Sequence, residues 1–233
     1  MTQRSLHEKL NAKYDQHDDK LKAKDWDVAF GSLDPTSTDD GAGPTGNMTV
    51  GTGIPATNFN KFINHEDDIE LGLKVHERGG PDIAPENVED GIAYYEVPAG
   101  DQSAGRAKWN FDFSVNTGIE GSTDTLDDFD FRIVIESGDG ERGVFNLQHV
   151  SPGVTPWTDG NGGQINDDDG FGPGNLPGGS AQISQNSVNL GFTFMQNIFG
   201  ADYNAAGERY EIELQAFDHY QLVGSTLIVV DVV

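Results

Sequence analysis

From about residue 68 onward the chain alternates apolar and polar positions in short runs. Ile69, Leu71, Leu73 and Val75 alternate with Glu70, Gly72 and Lys74. Trp109, Phe111, Phe113 and Val115 enclose Asn110, Asp112 and Ser114. Similar runs occupy Phe129–Ile135, Val188–Phe194 and Tyr210–Ala216. A period of two with one apolar side predicts antiparallel strands half buried against a second sheet. Shorter runs at Ala93–Val97, Val144–His149 and Leu222–Val230 add candidates, with a hairpin turn expected around Asp218–Gln221. About eight such strands predict an all-β fold, an antiparallel β-sandwich or jelly-roll-like domain over residues 61–233. Its expected core is Trp109, Phe111, Phe113, Phe131, Ile133, Leu190, Phe192, Ile212 and Leu214, with Tyr94 and Tyr95 on opposite faces of one strand.

The first 24 residues follow a different period. Leu6, Leu10, Tyr14, His17 and Leu21 recur three or four apart and form one narrow stripe of an amphipathic helix. Ser5 followed by Glu8 supplies a capping box for its first turn. A helix this thinly apolar is marginal alone and needs a partner surface, either its own body or another chain. Residues 25–60 read as an extended arm or linker, because Gly, Pro, Thr, Ser and Asp dominate and no period persists. Two insertions interrupt the strands: an acidic loop over 78–91 and a Gly/Asp/Asn/Pro-rich loop over 151–180. Loops of that length are usually functional or mobile.

Charge sharpens this division. Residues 1–24 hold six of the 14 basic residues and four of the 39 acidic ones, a balance of +2. The rest of the chain then holds 8 basic and 35 acidic residues and stands at −27. A near-neutral arm joined to a strongly acidic body suggests attachment by one and solvent exposure by the other. Phosphates would be repelled by the body, so nucleic acid is not an expected partner. No apolar run is long enough to span a bilayer. Thirteen Phe, six Tyr and three Trp supply large buried area despite an apolar fraction of 35%. Without cysteine there is no disulfide, thiolate metal site or cysteine nucleophile. The opening MTQRSLHEKLNAKYDQ has no apolar signal segment, so a native start at Met1 implies a chain kept in the cytoplasm or released without a signal.

Catalytic motifs are not evident. The six histidines show no H-x-x-x-H or HExxH spacing, and no nucleophile elbow or P-loop occurs. Acidic side chains suit a hard cation such as calcium. Asp167, Asp168 and Asp169 are the densest candidate ligands, with Asp124, Asp127 and Asp128 next. Neither group fits the EF-hand spacing: around Gly170 the first and twelfth positions would be Ile165 and Leu176. The expectation is therefore no cofactor, with calcium as the one candidate. Trp157 and Phe171 sit inside the long loop, where an aromatic either anchors the loop or touches a partner.

The blocks IELGLKV (69–75), AKWNFDFSVNTG (107–118), LDDFDFRIVIESGDG (126–140), SQNSVNLGF (184–192) and YEIELQAFD (210–218) resemble a β-sandwich of exported Gram-negative bacterial proteins that carry a PEP-CTERM sorting tail. The resemblance covers residues 58–233 and implies a non-enzymatic surface module, without transferring any functional residue. The chain ends in LIVVDVV rather than in a sorting tail, so the expectation is the same kind of module in another use. The reading that follows is a non-enzymatic structural and attachment protein. Residues 1–60, with Leu6, Leu10, Tyr14 and Leu21 as contacts, tie an acidic sandwich to other chains of an assembly, a homo-oligomer on a virion or other particle exterior. A virion decoration, cement or spike protein fits that description by analogy of fold. An exported surface or matrix module binding calcium or glycans is the first alternative. A jelly-roll carbohydrate-active enzyme, needing two carboxylates on one sheet face, is the second.

Overall fold

In the computed structural model, residues 26–33, 58–103, 105–147 and 182–233 are described. The alternating runs become two sheets packed face to face around one core, a sandwich-like all-β arrangement. The first sheet contains β1 (Trp26–Gly31), β2 (Phe59–Asn64), β3 (Ile69–Glu77), β8 (Trp109–Asn116) and β11 (Ile183–Val188), in the order β1-β2-β3-β8-β11. The second contains β4 (Asn87–Glu89), β5 (Ile92–Val97), β9 (Asp130–Ser137), β10 (Arg142–Leu147), β12 (Arg209–Asp218) and β13 (Gln221–Val232), in the order β10-β9-β12-β13-β5-β4. A small hairpin, β6 (Asp101–Ser103) with β7 (Arg106–Ala107), stands apart. Pairing is antiparallel except that β5 runs parallel to β13. The helix α1 spans Thr193–Phe199.

The inner faces carry the expected core. Leu71, Leu73, Trp109, Phe111, Phe113, Ile133, Leu190, Ile212 and Leu214 are fully buried, and Phe131 nearly so. Burying one such side chain stabilises by about 1.5–3 kcal/mol. Trp109 and Tyr210 meet across the sheets with ring centres 6.4 Å apart, and Phe199 of α1 closes on Tyr210 edge-on at 5.5 Å. Their polar tips are satisfied: the Trp109 indole N–H donates to Asn204 Oδ1 at 3.1 Å, and the Tyr210 hydroxyl donates to the Tyr203 carbonyl. Asparagines on the inner face of β2 join the sheets. Asn60 Nδ2 donates to the Gly91 and Leu227 carbonyls, each at 2.9 Å, and Asn64 Nδ2 to the Val223 carbonyl at 2.9 Å.

Several sequence expectations need correction. Residues 26–31 and 59–60, read as part of an arm over 25–60, belong to the five-stranded sheet, where β1 pairs with β2 from Trp26↔Asn64 to Gly31↔Phe59. Trp26 packs on Phe62 at 5.3 Å, and Leu33 is buried. Val28 lies so near Gly91 that a Cβ there would come within 2.5 Å of it, so β1 seats directly against the turn before β5. The run Val188–Phe194 does not form one strand. β11 ends at Val188, and the Asn189 side chain then replaces a strand partner: its Oδ1 accepts from the Ala107 and Gly191 amides, and its Nδ2 donates to the Ala107 and Trp109 carbonyls. The chain turns away into α1, and Phe192 is left only half buried. The turn between β12 and β13 lies where expected, at His219 and Tyr220. Residues 1–25, residues 34–57 of the arm and the loop over 151–180 lie outside the described residues.

Candidate functional site

Polar side chains gather on the outer face of the five-stranded sheet. Alternation puts Lys74 and His76 of β3 on the side opposite the core, and Asn110, Asp112 and Ser114 of β8 likewise. The register sets Lys74 opposite Asp112 and His76 opposite Asn110, while β11 brings Gln185 opposite Ser114 and Ser187 opposite Asp112. Lys74, His76, Asp112, Ser114 and Gln185 are nevertheless buried. Buried charges are tolerated when paired. His76 Nδ1 lies 2.8 Å from Asp112 Oδ2, and Lys74 Nζ lies 2.9 Å from Asp82 Oδ1. Lys74 also sits over the Phe59 ring at 4.6 Å, a cation–π contact. Asp82 reaches this position because its segment bridges to His76 and the Ile83 amide donates to the Val75 carbonyl at 3.2 Å.

Burial pushes the Asp112 carboxyl above the usual carboxylate range, against the hydrogen bond and charge of His76, the charge of Lys74 and the hydrogen bond of Ser187. Its Oδ1 has no hydrogen-bond partner among the described residues. Tyr95 is raised as well, first by burial and then by Asp82 and Asp112. Asp, His and Ser therefore meet, but in an order unsuited to nucleophilic catalysis. That chemistry needs the serine proton on the imidazole. Here both His76 and Ser187 bond the carboxylate, and Asn110 Nδ2 donates to Ser187 Oγ at 2.8 Å. What the arrangement does is pin β3, β8 and β11 together through compensated charges.

The outer face of the six-stranded sheet is different. Ile92, Val134, Leu227 and Val229 form a second buried apolar cluster, with Tyr94 packed at its side, and every one of these residues belongs to that sheet. Tyr95 meanwhile joins the main core, so the two tyrosines do occupy opposite faces.

The sequence-derived site residues Leu6, Leu10, Tyr14, Leu21, Trp157, Phe171, Asp167, Asp168 and Asp169 all lie outside the described residues. The second acidic group is described, and it serves as a turn cap. The Thr125 amide and hydroxyl donate to Asp128 Oδ2 at 2.8 and 3.0 Å, capping the 3-10 turn Leu126–Asp128. No three His, Asp or Glu residues are placed to hold a metal ion among the described residues. Among them, too, no helix is long and apolar enough to cross a membrane. His65 clamps the edge strand, with Nδ1 2.6 Å from Glu120 Oε1 and Nε2 3.3 Å from Asp27 Oδ2 of β1. The His76–Asp112 and Lys74–Asp82 pairs were missed from sequence, since each residue alone reads as the polar half of an alternation. The register of β3 against β8 unites His76 with Asp112, and the bridge of the following segment to His76 unites Lys74 with Asp82. No protein-family model matches the chain, and no curated protein matches it.

Proposed function

We propose that the chain is a non-enzymatic structural protein, an acidic sandwich or jelly-roll domain held by its N-terminal segment on the exterior of a larger assembly. The observation that supports this reading is the position of β1. The first described strand is the outermost of the five-stranded sheet, so the described chain begins at a sheet edge rather than inside the core. The charge division adds to it: an arm at +2 is suited to holding a neighbour, and a body at −27 to facing solvent. A virion decoration, cement or spike protein of a homo-oligomeric shell is the specific form proposed. The test is electron microscopy and size-exclusion of the purified chain with and without residues 1–24. The full chain is expected as a multi-copy particle and the shortened chain as a folded monomer. Assembly that survives the deletion would refute the role given to the arm.

A further inference from the structure

A cavity of about 320 Å³ opens where β9, the end of β10 and the β12–β13 turn converge. Phe131 and Leu147 form part of its floor, and Asp130, Arg132, Asn146, Phe217 and Tyr220 supply its chemistry. Arg132 is fixed from behind. Its guanidinium lies over the Phe217 ring at 4.2 Å, and its Nε–H donates to Gln215 Oε1 at 2.5 Å. Neither Nη group has a hydrogen-bond or ion-pair partner among the described residues; the buried Glu213 carboxylate acts on the guanidinium through its charge without bonding it. By contrast Arg209 donates to Asp231, and Arg106 to the Gly105 and Gly191 carbonyls. Asp130, two residues away on the same face, makes no ion pair with Arg132, and Asn146 stands opposite it on β10.

Tyr220 gives the second observation. The two-residue turn has positive φ at both positions, 45° at His219 and 68° at Tyr220. Asn and Gly are the residues that favour such a turn, and bulky side chains there are strained. Tyr220 is 93% exposed, so it packs no core in return. A strained, exposed aromatic beside a cavity points to a ligand.

We infer that this cavity binds an acidic saccharide, with Arg132 gripping the sugar carboxylate and Tyr220 lying against the sugar ring. The planar guanidinium offers two parallel N–H donors that match a carboxylate. The Asp130 carboxylate accepts from sugar hydroxyls, and the Asn146 amide can both donate and accept. A ligand with an anion, several hydroxyls and an apolar ring face answers all four groups together. The tyrosine ring and Asp130 are what favour a sugar over a simple anion.

The experiment is calorimetric titration of the full chain with trigalacturonate, alongside neutral maltotriose, sulfate and an acidic tripeptide, each repeated on Arg132→Gln and Tyr220→Gly. Trigalacturonate should bind saturably and maltotriose should not. Arg132→Gln should weaken binding by about tenfold or more, the loss expected for one charge-assisted contact. Tyr220→Gly should weaken binding while raising the melting temperature, a pairing that no folding defect produces and that keeps the test valid if Arg132→Gln folds poorly. Binding of trigalacturonate that is undetectable, equalled by maltotriose, or unchanged in both variants would overturn the inference. Equal or tighter binding of sulfate or of the acidic tripeptide would overturn the saccharide assignment.

Discussion

Lys74, His76 and Asp112 on one outer face are buried as deeply as Val134, Leu227 and Val229 on the other. The first trio is held by two ion pairs and a set of side-chain hydrogen bonds, the second by an apolar cluster, with the Arg132–Gln215 hydrogen bond and the Arg142–Glu136 ion pair elsewhere on its face. The difference concerns tolerance. A buried charge that loses its partner carries its whole desolvation cost, whereas an apolar face that loses a methyl group loses only that contact and part of a cavity. The ion-paired positions of the five-stranded sheet should therefore fail sharply under substitution, and the apolar cluster of the six-stranded sheet gradually.

Asp112→Ala should have the largest effect on this comparison. It leaves His76 buried without its acceptor and should cost about 3–5 kcal/mol in denaturant unfolding. Val134→Ala should cost about 1–2 kcal/mol. Equal losses at the two sites would erase the distinction between the faces.

A pH series sharpens it next. Asp112 is raised in the folded protein, so the folded state holds that proton more tightly than the unfolded chain does. Its contribution is full below the unfolded carboxylate value and is lost as pH rises through the folded one. Asp112→Asn removes this titration and keeps the side-chain shape. Stability of the native chain relative to Asp112→Asn should thus fall as pH rises from the acid side. A difference that stays flat or rises with pH would mean that His76 and Lys74 outweigh burial.

These faces also show where sequence pattern stops. Leu71, Phe111, Ile133 and Ile212 were legible as core because inward positions repeat every second residue. The opposite positions read as solvated, and nothing in the alternation distinguishes a lysine in water from Lys74 paired to Asp82. That distinction depends on the segment after β3 folding back to bring Asp82 beside His76, a bridge that alternation does not encode. Strand β1 carried a readable signal, since Trp26, Val28 and Phe30 alternate with Asp27, Ala29 and Gly31, but the Gly- and Pro-rich segment after it masked so short a run. Beyond Val188 the alternation continued through Leu190, Phe192 and Phe194 while the backbone left the sheet, because Asn189 supplies its own hydrogen bonds to Ala107 and Trp109. Arg132 looked like any polar strand position; the Gln215 and Phe217 contacts that fix it come from β12.

The smallest effect has the opposite sign. Tyr220→Gly relieves a strained turn and should stabilise by about 0.5–1 kcal/mol in a thermal melt. A loss of stability would show that Tyr220 supports the fold, and its exposure would then need another explanation.

The division between arm and body is tested most directly by denaturant unfolding of the chain lacking residues 1–24, followed by near-ultraviolet circular dichroism. Strand β1 begins at Trp26, so the deletion leaves every described strand intact. A native-like aromatic spectrum and a cooperative transition are expected, with the sandwich standing without its arm. An unfolded or molten spectrum would make residues 1–24 part of the core and contradict the account.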